Sequence, residues 1–357
     1  MLAKLLRSWF AQSPRSRPRS QTPTLEALET RLTPSSTPLH VAGGRLVDAS
    51  GAAVVLRGVN IAGLESYPTG LDWDANSNSI LPQVADEALN SWHANLIRLT
   101  LNQDFWFGHD EAVGLGESGD GGAAYQGLVQ QIVSEAQASG AYVMLSVWAS
   151  DMGHATTTNP VAQHDMPDDN TTLFWQSVAA RYANNSTVLF DPFNEPHDVT
   201  ASQWLNGGSI MENGVTYNSP GMQGLLNTIR ATGANNIVAP EGLGWATNLS
   251  GIDQGFALND PAGNLMYQFH LYPDDGQSSA AWQADVQPVL NGRYPIYIGE
   301  WGTDSDGTDG AGQPSAAAWT QNMLTWLSQN QFSWTAWEFN PPQDGGPNLI
   351  SDSNYTP

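Results

Sequence analysis

Short runs of apolar and β-branched residues alternate along the chain with longer stretches that repeat at helical spacing. Each run is long enough for one strand, and the alternation is typical of repeated βα units. There are eight candidate strands: AVVLRGVN at 53–60, ANLIRLTL at 94–101, AYVMLSVW at 141–148, TVLFDPFNE at 187–195, NNIVAPEG at 235–242, LMYQFHLY at 265–272, YPIYIGEW at 294–301 and FSWTAWEF at 332–339.

Helical stretches separate most of these runs. Pro82–His93 begins at a proline, which the first turn tolerates, and Tyr125–Ser139 ends before Gly140, a common residue at helix ends. Further helices are predicted at 171–183, 222–231, 280–290 and 315–328. Eight strands alternating with helices predict an α/β fold, the (β/α)8 TIM barrel. A doubly wound open sheet is the competing architecture, but no GxGxxG follows the first strand.

The two ends of the chain depart from this pattern. Residues 1–37 are predicted to be a basic, Ser/Pro-rich, disordered leader, and 38–357 a single barrel domain. LEALETRLTPS at 25–35 resembles an export-associated motif of large exported bacterial proteins, with a plain disordered linker as the alternative. Because PPQDGGPNLISDSNYTP at 341–357 has no helical period, we expect a barrel that lacks its last helix, or a chain truncated before it.

Composition limits the classes of partner. The net charge is −23, and six of the 12 Lys and Arg residues lie in the first 31 positions. The acidic remainder repels nucleic acid and anionic membranes, so neither is expected as a partner, and a monomer acting on a neutral substrate is expected. The absence of cysteine excludes disulfides and thiolate chemistry. The 14 tryptophans suit a sugar ligand, since flat indole faces stack on sugar rings.

Two strand ends carry candidate catalytic carboxylates. FNEPHD at 193–198 places Glu195 beside Asn194, where the acid can protonate a glycosidic oxygen and the amide can bind a sugar hydroxyl. A capping or surface glutamate is the structural alternative. IYIGEWG at 296–302 places Glu300 at the end of a buried strand, where Arg98 and Tyr272 can hold it ionised as a nucleophile. A structural Arg–Glu pair is the alternative there.

Six motifs together resemble glycoside hydrolase family 5, from about residue 40 to the end. They are LRGVN at 56–60, NLIRL at 95–99, FNEP at 193–196, HLY at 270–272, IGEWG at 298–302 and WTAWEFNP at 334–341. The resemblance implies that Glu195 is the acid/base and Glu300 the nucleophile of a retaining double displacement, with carboxylates about 5–5.5 Å apart. It also implies substrate-binding roles for Arg98, Asn194, His270, Tyr272 and Trp337.

One residue departs from the family pattern. The third strand ends at Trp148, where the family usually has a histidine, and Trp148 can add a stacking surface instead. His154 is the nearest histidine that could reach back. Other tryptophans near strand ends are candidates for the cleft or for the core: Trp73, Trp106, Trp245 and Trp301. Glu241 and Glu338 are candidates for supporting positions.

The sequence predicts neither a metal nor a cofactor. The histidines show no metal-ligand spacing, and the acidic loop DSDGTDG at 304–310 fails the calcium-loop pattern.

From the motifs and the resemblance together, we expect an extracellular or cell-surface endo-acting hydrolase of β-1,4-glucan, with β-mannan or another β-glycan as the alternative substrate. A carbohydrate-binding barrel with weak catalysis is the alternative from another class. Close carboxylates are expected to raise the pKa of the acid.

Overall fold

The computed structural model describes residues 36–70, 81–110, 116–149, 163–273, 278–303, 315–340, 347–350 and 355. The strands are β1 His40–Ala42, β2 Arg45–Val47, β3 Arg57–Ile61, β4 Leu96–Asn102, β5 His109–Asp110, β6 Gly116–Glu117, β7 Tyr142–Ala149, β8 Val188–Asp191, β9 Gly208–Glu212, β10 Val215–Ser219, β11 Tyr267–Leu271, β12 Ile296–Trp301 and β13 Ser333–Ala336. The α-helices are α1 Leu81–Asp86, α2 Ala123–Ser139, α3 Asp169–Tyr182, α4 Ala201–Asn206, α5 Gly221–Ala231, α6 Ser279–Asn291 and α7 Ala316–Asn330.

Seven strands form one parallel sheet in the order β11-β12-β13-β3-β4-β7-β8. The predicted fifth strand, 235–242, is reduced to isolated bridges: Val238 pairs in parallel with Phe190 on β8 and with Leu265 just before β11. Pro240 has no N–H to continue the ladder, which explains why no regular strand forms there. Val238 nevertheless joins the two edges of the sheet, so eight segments close the predicted (β/α)8 barrel.

Local signals fix several helix ends. Asp168 caps α3 by accepting a 2.8 Å hydrogen bond from the backbone N–H of Thr171, and the two residues form a capping box. Gly140 ends α2 with φ +73°, a left-handed conformation that favours glycine. Six predicted helices are therefore present with shifted ends, while α4 and the hairpins β1–β2 and β9–β10 were not predicted.

The core has two layers. The larger cluster lies between the sheet and the surrounding helices, and the smaller one fills the amino-terminal end of the barrel. Leu46 of the β1–β2 hairpin packs in that smaller cluster against Leu56, Met144 and Tyr297. Each fully buried aliphatic or aromatic side chain contributes about 1.5–3 kcal/mol relative to exposure. The hairpin thus closes one end of the barrel and leaves the carboxyl-terminal end for the site.

No helix follows β13 among the residues described there, 337–340, 347–350 and 355, in agreement with the expected missing helix. Instead the chain folds back, and the backbone N–H of Leu349 donates to the carbonyl of Glu338 at 2.9 Å. Positions 1–35 of the predicted leader lie outside the described residues. The hydroxyl of Ser36 forms a hydrogen bond with that of Thr187 on the barrel. None of the described helices is both long and apolar enough to cross a bilayer.

Candidate active site

Polar side chains from four strands meet at the carboxyl-terminal end of the barrel. Arg98 comes from β4, Glu195 from the turn after β8, His270 from β11 and Glu300 from β12. Parallel strands present their carboxyl ends to the same side, and barrel sites form there. The structure therefore brings together residues that are more than 200 positions apart in the sequence.

Arg98 is the centre of this cluster and is completely buried. Its guanidinium donates to Glu300 Oε1 at 2.6 Å, to Glu241 Oε1 at 2.9 Å and to Asp191 Oδ2 at 2.9 Å. Burial alone would lower the pKa of Arg98, but the carboxylates of Asp191, Glu300 and Glu241 outweigh it and raise that pKa well above its ordinary value. One cation thus joins three carboxylates from different parts of the barrel.

Glu300 receives a second hydrogen bond from Tyr272, whose hydroxyl donates to Oε2 at 2.9 Å. Burial, followed by the Glu300 charge, raises the pKa of Tyr272 well above its usual range, so the phenol stays protonated and keeps donating. Each oxygen of the Glu300 carboxylate thus accepts one strong donor. Such an arrangement orients the carboxylate and stabilises its negative charge.

Glu195 sits in a left-handed backbone conformation with φ +49°, which is unfavourable for a residue with a side chain. Its backbone N–H donates to Glu241 Oε2 at 2.6 Å. On the side chain, Oε1 contacts His270 Nδ1 at 2.8 Å and Oε2 accepts from Gln163 at 3.2 Å. These contacts hold the carboxylate towards the centre of the cluster.

The expected rise in the pKa of Glu195 is wrong for the free site. Burial raises the pKa, but the hydrogen bond and charge of His270 outweigh burial and bring it below the ordinary value. Burial lowers the pKa of His270, while the charges of Glu241 and Glu300 raise it well above its usual value. Repulsion between the two carboxylates alone would raise the pKa of Glu195, and the imidazolium that lies between them reverses this shift.

His270 lies between the two predicted catalytic carboxylates. Nδ1 is 3.7 Å from Glu300 Oε2. One carboxylate oxygen of Glu195, one of Glu300 and one ring nitrogen of His270 all lie within 4.8 Å of one another. Nε2 faces the other way, 3.4 Å from Glu241 Oε1. The histidine therefore contacts both glutamates of the predicted pair and a third carboxylate behind them.

Asn194 is buried beside this cluster. Its Oδ1 accepts a hydrogen bond from Arg98 Nη2 at 2.5 Å, which fixes the orientation of the amide. Its Nδ2 has no partner among the described residues. A buried donor without a partner carries a desolvation penalty that a ligand hydroxyl can remove. The sequence prediction that Asn194 binds a sugar stays a prediction.

The tryptophans divide into core and cleft candidates. Trp337 and Trp148 are half-buried, and Trp148 is the extra residue of a bulge in β7, between the pairs Leu101–Val147 and Asn102–Ala149. Their predicted roles in substrate binding stay predictions. Trp106 and Trp301 are fully buried among other aromatic rings and belong to the core. Trp73 and His154 lie outside the described residues.

Trp245 differs from these residues because 48% of it is exposed. Its ring stacks on His197 with centroids 3.5 Å apart and an interplanar angle of 15°. Its backbone N–H donates to the carbonyl of Pro196, the residue that follows Glu195. An exposed indole is therefore fixed next to the predicted acid/base, as a surface on which a sugar ring can stack.

Sequence reasoning missed part of the polar network. Asp191 and Gln268 bond each other at 3.1 Å beneath the predicted pair, and Asn60 Nδ2 donates to the carbonyl of Gly299 at 2.9 Å, next to Glu300. These residues could have been found from the sequence, because they are polar side chains within otherwise apolar strands. A buried polar side chain needs hydrogen-bond partners, so such positions indicate a polar network. Glu241, predicted only as a supporting residue, lies at the centre of the network.

Outside the central cluster, one group of carboxylate and imidazole side chains lies close enough together to hold a cation. Atoms of Asp165, His197 and Asp198 lie within 4.8 Å of one another. His197 Nε2 is 3.2 Å from Asp165 Oδ1, an ion-pair contact that already joins these two residues. The acidic loop at 304–310 lies outside the described residues. The expectation of no metal therefore stays a prediction.

Comparisons with known proteins agree with the motifs. An endoglucanase of Microbulbifer sp. (strain ALW1) is 27% identical over 308 residues, which are 84% of this chain and 51% of the relative. Endoglucanase Z of Dickeya dadantii (strain 3937) is 25% identical over 248 residues, covering 68% of this chain and 50% of that protein. The chain thus spans about half the length of these curated relatives.

Solved structures show the same fold. A β-glucanase from Saccharophagus degradans, crystallised with cellotetraose, aligns with a TM-score of 0.69 and 21% identity, over 94% of each chain. A β-mannanase from Streptomyces thermolilacinus with mannohexaose gives 0.63 and 18%, over 90% of this chain and 91% of that one. A sequence model of the cellulases, glycosyl hydrolase family 5, matches residues 47–343, so the chain belongs to that family of glycoside hydrolases.

Proposed function

We propose that this chain is a retaining endo-β-1,4-glucanase in which Glu300 is the nucleophile and Glu195 the acid/base. One observation carries the proposal. Arg98 and Tyr272 each donate to a different oxygen of Glu300, while a Glu195 oxygen lies within 4.8 Å of the same carboxylate. Two carboxyl groups about 5–5.5 Å apart suit double displacement, whereas inversion needs about 6.5–9.5 Å to admit a water molecule.

In the first step, Glu300 attacks the anomeric carbon and forms a glycosyl ester. The glycosidic bond breaks, and its oxygen takes a proton from Glu195. In the second step, Glu195 removes a proton from water, and the resulting hydroxide displaces Glu300 from the sugar. Protons balance over the cycle, because the proton given to the leaving group is replaced by one from water.

The surrounding residues suit the oxocarbenium-like transition state. Glu300 is held close to the position where positive charge develops, and preorganised charges of this kind are a large term in catalysis. The unpartnered Nδ2 of Asn194 is a donor for a hydroxyl of the reacting sugar. We assign Trp337, Trp148 and Trp245 to stacking on sugar rings, with Trp245 on the side of the acid/base.

The preference for β-1,4-glucan is supported by curated relatives that are endoglucanases and by a similar structure that holds cellotetraose. β-Mannan is the second candidate, because a mannanase with mannohexaose has a comparable TM-score. Loops around the cleft decide between these sugars, and the fold does not. We further propose that the chain acts as a monomer outside the cell or on its surface, where insoluble polysaccharides are found.

A substrate panel tests the assignment. The chain is incubated with carboxymethyl-cellulose, galactomannan and cello-oligosaccharides, and reducing ends and product lengths are followed. An endo-β-1,4-glucanase should lower the viscosity of carboxymethyl-cellulose early and release short β-linked products. Faster release from galactomannan would establish the mannanase alternative. Binding to the glycans without any release would instead establish a carbohydrate-binding barrel.

The stereochemistry is tested separately by proton NMR of the first products. Retention requires that the β-anomer of the new reducing end appears first and that mutarotation then forms the α-anomer. Early α-anomer would rule out a glycosyl ester on Glu300.

A further inference from the structure

Glu241 is a completely enclosed carboxyl group near the site, and the two chemical steps above do not use it. It lies at the end of the segment that takes the place of the fifth strand, and none of its side chain is exposed. Its two oxygens have separate contacts. Oε2 faces the main chain of Glu195, and Oε1 faces Arg98, His270 and Gln268.

The contact with Glu195 has a clear structural consequence. The Glu195 N–H donates to Glu241 Oε2 at 2.6 Å, and the same residue is held at φ +49°. A non-glycine residue in this region costs free energy and persists where its surroundings hold it in place. This buried acceptor therefore stabilises the turn that directs the acid/base into the cleft.

The second contact links Glu241 to the Glu195 side chain. His270 Nε2 is 3.4 Å from Glu241 Oε1, and Nδ1 of the same ring is 2.8 Å from Glu195 Oε1. A carboxylate on one ring nitrogen stabilises a proton on the imidazole. The three residues thus form a continuous chain from the buried carboxylate to the reacting one.

We propose that Glu241 is a positioning residue for the acid/base: it fixes the main chain of Glu195 and, through His270, keeps a proton available to the Glu195 carboxylate. This assignment rests on the proposed glycosidase function. It adds a role for the residue at the end of the fifth segment, beyond the pair that carries out the two steps.

In the free site the imidazolium of His270 faces the Glu195 carboxylate. When substrate binds, Nδ1 transfers its proton to Glu195 Oε1, and Glu195 passes that proton to the leaving oxygen. His270 is then neutral. In the second step Glu195 removes a proton from water and returns it to Nδ1. No proton is gained or lost over the cycle, and Glu241 itself transfers none.

The charges around the relay favour this behaviour. Burial raises the pKa of Glu241 to about 8, with the His270 charge opposing and the Asp191 charge adding to the rise. The pKa of His270 is also well above its ordinary value. Both shifts keep a proton within the Glu241–His270 pair at neutral pH. The other charged groups that face this pair are Arg98, Asp191, Glu195 and Glu300.

A purely structural role for Glu241, balancing the charge of Arg98, is the competing explanation. Asp191 provides a matched control because its buried carboxylate contacts the same guanidinium at 2.9 Å. Its contacts in the described structure are with Arg98 and Gln268, and none is with Glu195 or His270. Glu241→Gln and Asp191→Asn therefore each replace a buried carboxyl group beside Arg98 by an amide, but only the first interrupts the relay.

Kinetics on two aryl β-cellobiosides separate the roles. For cleavage of the glycosidic bond, which kcat/KM reports, Glu241→Gln should lower the rate about 10–100-fold with phenol, a leaving group that needs a proton. With dinitrophenol, which leaves without protonation, the loss should be about threefold or less. In Glu241→Gln, the alkaline limb of the pH profile of kcat/KM should move to lower pH by about one unit. Asp191→Asn should affect both substrates equally and leave the limb in place. If the two variants behave alike, the proposal is wrong.

NMR titration of the His270 ring gives a readout that does not require activity. The wild-type ring should stay charged to a higher pH than in Glu241→Gln, while Asp191→Asn should produce the smaller change. An unchanged His270 titration in Glu241→Gln would overturn the relay, whatever the kinetics. If wild type cleaves no glycan but the titration depends on Glu241, the glycosidase proposal fails and the relay remains.

Folding is checked by thermal melting of each variant before these measurements. If Glu241→Gln does not fold, Glu241→Asp replaces it. The shorter side chain keeps the charge but moves away from His270 and the Glu195 N–H, so the same dependence on the leaving group is expected. Equal losses on both aryl cellobiosides with Glu241→Asp would also overturn the proposal.

Discussion

Arg98 Nη1 donates a 2.6 Å hydrogen bond to Glu300 Oε1, and both side chains are almost fully withdrawn from solvent. The same guanidinium holds Asp191 and Glu241, so one cation contacts three buried carboxyl groups. Removing one partner of a buried ion pair is far more costly than the net stability that the pair provides, because the remaining charge has no compensation. We therefore expect the arginine to contribute to stability as well as to the proposed catalysis.

Arg98→Met should lower the free energy of unfolding by about 3–5 kcal/mol, since it leaves three carboxylates without a cation. Urea unfolding followed by tryptophan fluorescence measures this loss. Arg181→Met is the control, because Arg181 is exposed and its removal should change stability by about 0.5 kcal/mol or less. A loss below about 1 kcal/mol for Arg98→Met would contradict the central role assigned to this residue.

Glu300→Ala should abolish turnover, because no glycosyl ester can form. Azide at high concentration should then react from the open face and give a glycosyl azide of inverted configuration, which NMR identifies. Asp169→Ala is the control, an exposed acidic residue on α3, and it should retain wild-type activity. A glycosyl azide of retained configuration would show that Glu300 is not the nucleophile.

Glu195→Ala should slow the cleavage of natural glucans by about 10²–10⁴-fold, the usual contribution of general acid catalysis. Substrates with dinitrophenol leaving groups should form the glycosyl ester at nearly the normal rate, visible as a burst of released phenol. Rapid-mixing kinetics on both substrate types measures the difference. Equal losses on both types would remove Glu195 from the role of acid.

Stability should fall as pH rises from about 4.5 to about 8, in a way that depends on Glu241. Its ordinary pKa of 4.5 is raised by burial to about 8 in the folded chain. The stabilising contribution of the bound proton is fully present below pH 4.5 and is lost as pH rises through 8. The corresponding slope is at most about 1.4 kcal/mol per pH unit.

The comparison that isolates this slope is wild type against Glu241→Gln, measured by urea unfolding at several pH values from 5 to 9. Glutamine does not titrate, so the free energy of unfolding of wild type minus that of Glu241→Gln should fall as pH rises from 5 to about 8 and then level off. A difference that stays constant would mean that Glu241 titrates at the same pH in the folded and unfolded chains.

Trp148→Ala tests whether the residue at the usual histidine position binds sugar. Loss of a stacking surface should raise KM for cello-oligosaccharides several-fold and leave kcat nearly unchanged, since ground state and transition state lose the same contact. Steady-state kinetics on cellotetraose and cellopentaose measures both constants. An unchanged KM would place Trp148 outside the substrate cleft.

The sequence predicted the barrel because its strands and helices alternate with strong local patterns. TVLFDPFNE and YPIYIGEW each carry a glutamate at the end of a predicted strand, and the structure places both at the carboxyl-terminal end of the barrel. The hydrophobic period of each segment and the position of a residue at the end of a strand can be read from neighbouring residues in the sequence. The missed hairpin β9–β10 did carry a local signal: Asn213 and Gly214, with φ of +49° and +82°, form the two-residue turn between the paired residues Glu212 and Val215.

The network around the pair could not be predicted in the same way. The segment NNIVAPEG was predicted as a regular strand, but the lack of an N–H at Pro240 leaves only bridges, and Glu241 turns into the centre. Likewise, the pKa of Glu195 was expected to rise and instead falls, because His270 contacts it at 2.8 Å. Such shifts depend on which groups are neighbours in space.

The sequence by itself therefore determined the architecture and the two carboxylates, since hydrophobic periodicity and strand-end position are read directly from the chain. Only the tertiary structure decided that Arg98 compensates three acids at once, that Glu241 holds both Glu195 and His270, and that Trp301 is core while Trp245 is exposed. Electrostatic coupling and burial depend on distances of a few ångströms between residues far apart in the sequence, and barrel closure sets those distances.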